Sequence, residues 1–154
     1  MAIEIPVVLV RHGRYDYGTG GLTPMGRGDI LRTCNRLAGL ALDGALLIMS
    51  STTRRAEESG RLLAMNLPSR LITDDELASQ GNRPTAENFD GMLEDIATKH
   101  DVALGDHRGL VVVTHAPLIH AAVNHSLWGS DSSIRHGEPY SYIPGTWVPA
   151  LELS

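Results

Sequence analysis

The chain has 154 residues, 42% of them hydrophobic, and a formal net charge of −5. That length fits one domain, residues 1–154, with one core, and the acidic balance excludes a general nucleic-acid binder, which needs a basic face. No apolar run approaches the ~20 residues that span a bilayer, and no basic segment precedes the first apolar run, so neither a membrane span nor a signal peptide is expected.

Strands and helices alternate along the chain. Pro6 to Val10 is a short, β-rich apolar run that reads as a buried strand. After a glycine-rich loop, Thr23 and Pro24 fit an N-cap and first helical residue, and Ile30, Cys34, Leu37 and Ala41 recur at helical spacing. Ala45 to Met49 is a second buried strand, and Thr52 or Thr53 can cap a helix running to about Asn66. Leu71 to Thr73 is a short third strand. Beyond Gly81 and Pro84, a helix presents Phe89, Met92, Leu93 and Ile96 on one face. The run 109–115, GLVVVTH, is the clearest strand, and Pro117 marks the helix after it. The tail reads as two strands joined at Pro144-Gly145, with Pro149 placing the last at an edge. The pattern predicts an α/β protein: a three-layer α/β/α sandwich with a mostly parallel sheet and an antiparallel C-terminal edge.

In such a sheet, ligands bind outside the carboxyl ends of the strands. Arg11 and His12 follow the first strand and Thr114 and His115 follow the GLVVV strand, so two histidines from different strands face one crevice. The segment SSTTRRAEES, 50–59, brings arginines to a third strand-to-helix junction on the same side. Twelve of the thirteen cationic residues are arginine, Lys99 being the one lysine, so a bound anion would be held by guanidinium forks.

LVRHG after a first strand, LTPMG opening the next helix, SSTTRRAEES and VVVTHAP occur here in the order seen in the histidine phosphatase superfamily, the phosphoglycerate mutase-like proteins. The third motif resembles that family's Ser-x-x-x-Arg-Ala-x-x-Thr, with Ser51, Arg55, Ala56 and Ser59 in register. The resemblance runs from Val7 to roughly Val123. The short chain and the form DDELASQG, 74–81, look most like the small bacterial phosphohistidine phosphatases, while Tyr15 and the SSTTRRAEE wording also resemble the protein Ser/Thr phosphatase branch.

The resemblance implies a phosphatase in which His12 takes the phosphoryl group as a covalent phosphohistidine. Arg11 and Arg55 would clamp the phosphoryl oxygens and disfavour protonation of His12. His115 would donate to the same oxygens, with the backbone amide of Ala116 at the following helix start. Arg55 is preferred to Arg54 because it alone precedes Ala56. Glu76 resembles the family's acid position, protonating the leaving group and then activating water. Asp74, Asp75 and Asp16 remain rivals for that role, and Arg14 and Tyr15 are candidate substrate contacts.

The substrate expected is a phosphorylated small molecule or a phosphoprotein, with no cofactor, no metal, no nucleic acid and no membrane. A lone Cys34 permits no internal disulfide and reads as a reduced, buried thiol of a cytoplasmic protein. The sequence gives no hold on oligomeric state. His115, His120 and His125, five apart, do not share a helical face and lack zinc-site spacing. A second RHG, Arg135 to Gly137, follows a polar loop rather than a buried strand, so it reads as a coincidence of letters. That loop could still border the pocket, with Tyr140, Tyr142 and Trp147 lining it. Mutases of the family are longer, which favours transfer to water over mutase chemistry. The competing reading is a phosphate-binding module that has lost turnover.

Overall fold

A computed structural model describes residues 3, 5–39, 44–78, 89–115 and 117–119, together with the backbone of 139–143 and 146–149. Along the chain come β1 (Val7–Arg11), α1 (Pro24–Leu37), β2 (Leu46–Ser50), α2 (Arg54–Asn66), β3 (Ser69–Thr73), α3 (Phe89–Lys99), β4 (Gly109–Thr114), β5 (Pro139–Ile143) and β6 (Thr146–Pro149). Short 3-10 turns cover Asp75–Leu77 and Leu104–Asp106.

The sheet order is β3-β2-β4-β1-β5-β6. The first four strands in that order pair parallel, in register Val8 with Val111, Ile48 with Val111 and Ile48 with Leu71. β5 joins β1 and β6 joins β5 in antiparallel pairing.

Strands β1, β2 and β4 carry no polar face, because both of their faces are covered. Val7, Leu9, Leu47, Met49, Leu110 and Val112 pack with Phe89, Leu93 and Ile96 of α3 and with Leu118 and Ile119. Val8, Val10, Leu46, Ile48, Val111 and Val113 pack on the opposite face against Ile30, Cys34 and Leu37 of α1 and Ala56 and Leu63 of α2. This is the expected three-layer sandwich. Each fully buried Leu, Ile or Val contributes roughly 1.5–3 kcal/mol, so the middle of the sheet is a firmly packed mount for what its strand ends carry. β3 has only one sheet neighbour and is mostly half-buried, with only Ile72 buried.

The helix signals act as read. Thr23 precedes Pro24, and its side chain accepts a hydrogen bond from the Gly26 amide, satisfying one of the free donors of α1. Thr53, rather than Thr52, occupies the N-cap position of α2, although its hydroxyl makes no capping bond. Cys34 is buried, and its thiol pKa is raised by burial. Among the described residues no helix is long and apolar enough to cross a membrane. The Pro144-Gly145 junction, His120, His125, the second RHG and the side chains of Tyr140, Tyr142 and Trp147 lie outside the described residues.

Candidate active site

All four parallel strands deliver their carboxyl ends to one edge, and each passes the ladder on by a residue. The His12 amide donates to the Thr114 carbonyl at 3.1 Å, the Ser51 amide to Val113 at 3.0 Å and the Asp74 amide to Ser50 at 2.9 Å. His12, Ser51, Asp74 and His115 are therefore continuations of the rigid sheet, and all four are buried.

The imidazole of His12 is oriented by its own loop. Its Nδ1 lies 2.9 Å from the Gly13 carbonyl, which can only accept, so Nδ1 carries the hydrogen and the neutral ring has its lone pair on Nε2. The Gly13 amide donates to Ser59 Oγ at 3.0 Å, and that hydroxyl donates to the Arg55 carbonyl at 2.7 Å. Ser59 thus ties the His12 loop to the first turn of α2. Glycine at 13 is a packing requirement: a Cβ there would sit 2.5 Å from the Gly26 carbonyl oxygen. Gly26 faces the same constraint, with a Cβ at 1.9 Å from the Arg14 carbonyl oxygen. The glycines of RHG and LTPMG are the two sides of one backbone contact.

The His115 ring centroid is 5.0 Å from that of His12, edge-on. Its Nε2 lies 3.0 Å from Ser51 Oγ and 3.3 Å from Thr53 Oγ1. Burial, and after it the positive charges of Arg55 and Arg11, lower the His115 pKa to about 4. Two guanidinium groups therefore act on one imidazole, and His115 is neutral at physiological pH. The Arg55 guanidinium stacks 4.5 Å from the centre of the Tyr15 ring, and its buried Nε has no hydrogen-bond partner among the described residues. Buried donors without partners are rare and costly, so an anion is the natural complement here. Tyr15 also stands edge-on to His12 at 5.3 Å and to Tyr17 at 5.0 Å. A cavity of about 450 Å³ opens beside it, lined by Arg14, Tyr15, Tyr17, Thr23, Pro24 and Met25.

The structure gives one candidate a structural partner and sorts the acids. Arg14 borders that cavity, but its fork is committed to buried Asp29: Nε donates at 2.9 Å and NH2 at 2.7 Å. Arg32 adds a third bond at 2.6 Å. Burial alone would raise the Asp29 pKa; the bonds from Arg14 more than offset it, and the carboxyl lies below its ordinary range. Arg14 is therefore a brace between the His12 loop and α1. Arg54 is exposed and pairs with Glu58 at 2.7 Å. Asp16 Oδ1 accepts from the amides of Gly18 and Thr19, closing its own loop. Asp74 accepts from the Glu76 amide, from Lys99 and from His100, each at 2.9 Å. Asp75 accepts from the Thr52 hydroxyl. Of the four acids, Glu76 alone makes no side-chain bond among the described residues, and it is exposed.

The turn that carries Glu76 does not stay beside β3. Asp74 bonds back to β2, and the Thr114 hydroxyl donates to the Leu77 carbonyl, so the chain runs across the edge toward β4 and His115. Ala116 lies outside the described residues, but the His115 carbonyl already accepts from the Leu118 and Ile119 amides, the start of a helical turn. Sequence reasoning missed the Ser51 and Thr53 contacts to His115, the Ser59 tie and the Asp29 brace. Ser51 and Ser59 were visible as motif letters, whereas Asp29 carried no signal. Among the described residues no group of three or more His, Cys, Asp or Glu side chains could hold a metal ion.

No protein-family model matches the sequence, and no curated protein matches it either. Solved structures do. The protein histidine phosphatase SixA complexed with tungstate superposes with a TM-score of 0.63 at 20% identity, over 97% of this chain and 100% of that one. The mycobacterial glucosyl-3-phosphoglycerate phosphatase complexed with VO3 gives 0.62 at 17% identity, over 89% and 92%. A mutant phosphoserine phosphatase from Entamoeba histolytica in complex with phosphoserine gives 0.58 at 15%, over 94% of each chain.

Proposed function

From a chain that has the fold of the histidine phosphatases, we propose a phosphatase that works through a phosphohistidine at His12. The observation that carries the reading is His12 itself: a buried imidazole with its tautomer fixed by the Gly13 carbonyl, packed against a His115 whose pKa the charges of Arg55 and Arg11 help to lower. A phosphate monoester resists attack because its oxyanions repel the nucleophile, so charge neutralisation and placement dominate the catalysis. In this reading Arg11 and Arg55 hold the phosphoryl oxygens and neutral His115 donates a hydrogen bond to them. His12 Nε2 forms the N–P bond as the ester O–P bond breaks, and Glu76 gives its proton to the leaving oxygen. Glu76 then takes a proton from water, which attacks phosphorus as the N–P bond breaks and frees His12.

Tyr15 and the adjoining cavity would receive the leaving group, the dephosphorylated part of a small-molecule or protein-borne phosphate, phosphohistidine included. The small bacterial phosphohistidine phosphatases are the favoured comparison because SixA superposes over almost the whole of both chains. Turnover of an aryl phosphate, with and without vanadate, tests the reading. Wild type should be vanadate-sensitive, and His12→Ala should lose at least ~10³-fold in kcat, as expected for removal of a covalent nucleophile. Wild-type protein that binds phosphate without turning it over would instead support the binding-module alternative. Phosphohistidine protein, phosphoserine and phosphothreonine peptides then rank the substrate classes.

A further inference from the structure

We infer that Asp74 is a positioning residue, anchoring the turn that presents Glu76 to the leaving group. The inference deepens the phosphatase reading and rests on Glu76 being its acid. The side chain of Asp74 is 1% exposed, and its two oxygens serve different parts of the molecule. Oδ1 accepts the Glu76 amide at 2.9 Å, the bond that starts the 3-10 turn. Oδ2 accepts from Lys99 Nζ and His100 Nε2 at the end of α3, each at 2.9 Å. Its own amide is bonded to β2. The carboxylate therefore joins the sheet, the last turn of α3 and the backbone of the proposed acid.

An exposed glutamate on a short turn has nothing of its own to fix it, since a 3-10 turn of three residues contributes little stability. Its backbone must be held from below, and Asp74 is the group that bonds to it. Burial alone would raise the Asp74 pKa, but the Glu76 amide, Lys99 and His100 more than offset this and keep it an anion. The Thr114 bond to Leu77 and the Thr52 bond to Asp75 steer the same turn, one from each side of Glu76. Lys99 in turn feels the negative charges of Glu76 and Asp75 as well as its bond to Asp74.

A double-mutant cycle separates positioning from simple structural support. The rate is read as kcat/KM on phenyl phosphate, a poor leaving group, and on nitrophenyl phosphate, a good one. Glu76→Gln should cost about 100-fold on phenyl phosphate, the scale of general-acid catalysis. Asp74→Ala should cost about tenfold, as a small misplacement of a catalytic group does. The double variant should be no slower than Glu76→Gln alone. Asp74→Asn, whose amide oxygen can still accept the Glu76 amide, should stay within about threefold of wild type. Both single losses should shrink on nitrophenyl phosphate. If Glu76→Gln runs at the wild-type rate, the acid assignment falls and takes this inference with it. If Glu76→Gln is slow but the Asp74→Ala loss multiplies in the double variant, or Asp74→Asn is as slow as Asp74→Ala, the acid stands and the positioning role is overturned. Asp74→Leu, which fills the buried volume, replaces Asp74→Ala in the cycle should the alanine variant not fold.

Discussion

The loop after β1 and the turn after β3 reach the same edge of the same sheet by opposite means. The first is held chiefly by close backbone contacts, Gly13 against Gly26, Thr23 N–H to the Arg14 carbonyl at 3.0 Å and the His12 ring on its neighbour's carbonyl, with the Ser59 and Arg14–Asp29 side-chain ties beside them. The second is held by side chains from three other places, Thr52, Thr114 and the Lys99-His100 pair gathered by Asp74. The first loop keeps a buried imidazole fixed, which suits the nucleophile proposed for His12. The second leaves its glutamate exposed, which suits the proton exchange with water proposed for Glu76.

Gly13→Ala attacks the backbone-held loop directly and should have the largest effect on stability. The new Cβ meets carbonyl oxygen rather than a flexible side chain, so the loop or α1 must move. We expect a loss of about 2–3 kcal/mol in a denaturant melt, the upper range for overpacking. The catalytic rate should fall with it, because the Gly13 carbonyl sets the His12 tautomer. A melt unchanged from wild type would mean that the loop yields as readily as the turn, and the contrast between the two regions would be lost.

His115 makes the first region sensitive to acid in a defined window. Its pKa is about 4 folded against 6.5 for the free side chain, so between those values the unfolded chain binds a proton that the folded protein refuses. Stability from this group is complete above pH 6.5, falls as the pH drops through the window, and stops falling below about 4. The drop from pH 7 to pH 5 should be about 2 kcal/mol. His115→Gln should remove that slope. Asp74, with its pKa lowered, loses its contribution only at more acid pH, as the folded-state carboxyl takes up its proton. His115 should therefore lose its contribution first and Asp74 second.

How far the sequence could be read follows the same division. RHG and VVVTH are contiguous, and each sits at the end of an apolar strand, so strand direction alone sends His12 and His115 to one crevice. The helix of residues 54–66 and the core face of Phe89, Leu93 and Ile96 were legible from spacing for the same local reason. The Arg14 tie was not legible because its partner, Asp29, lies 15 residues away on a helix whose rotation no motif records. Asp74 stood in a run of three acids, and nothing local says which one turns inward. Its partners are 25 and 26 residues further on, at the far end of α3. Contacts made by strand ends are written in the sequence next to the residues they serve. Contacts made by side chains across the edge are not.

Thr52→Ala should have the smallest effect, and it bears most closely on how the turn is held. The Thr52 hydroxyl donates to Asp75 on an exposed surface, where water can replace the lost bond, so its contribution should stay under about 1 kcal/mol. Thr114 and Asp74, by contrast, are buried, and no water stands ready to take over their bonds. If the buried contacts carry the turn, Thr52→Ala should leave the melting temperature and the rate on phenyl phosphate within about twofold of wild type, while Asp74→Ala does not. A Thr52→Ala variant as slow as Asp74→Ala would mean that the turn depends on every one of its attachments at once. The proposed acid would then be held as tightly as the proposed nucleophile, and the exposure of Glu76 would no longer indicate freedom to move.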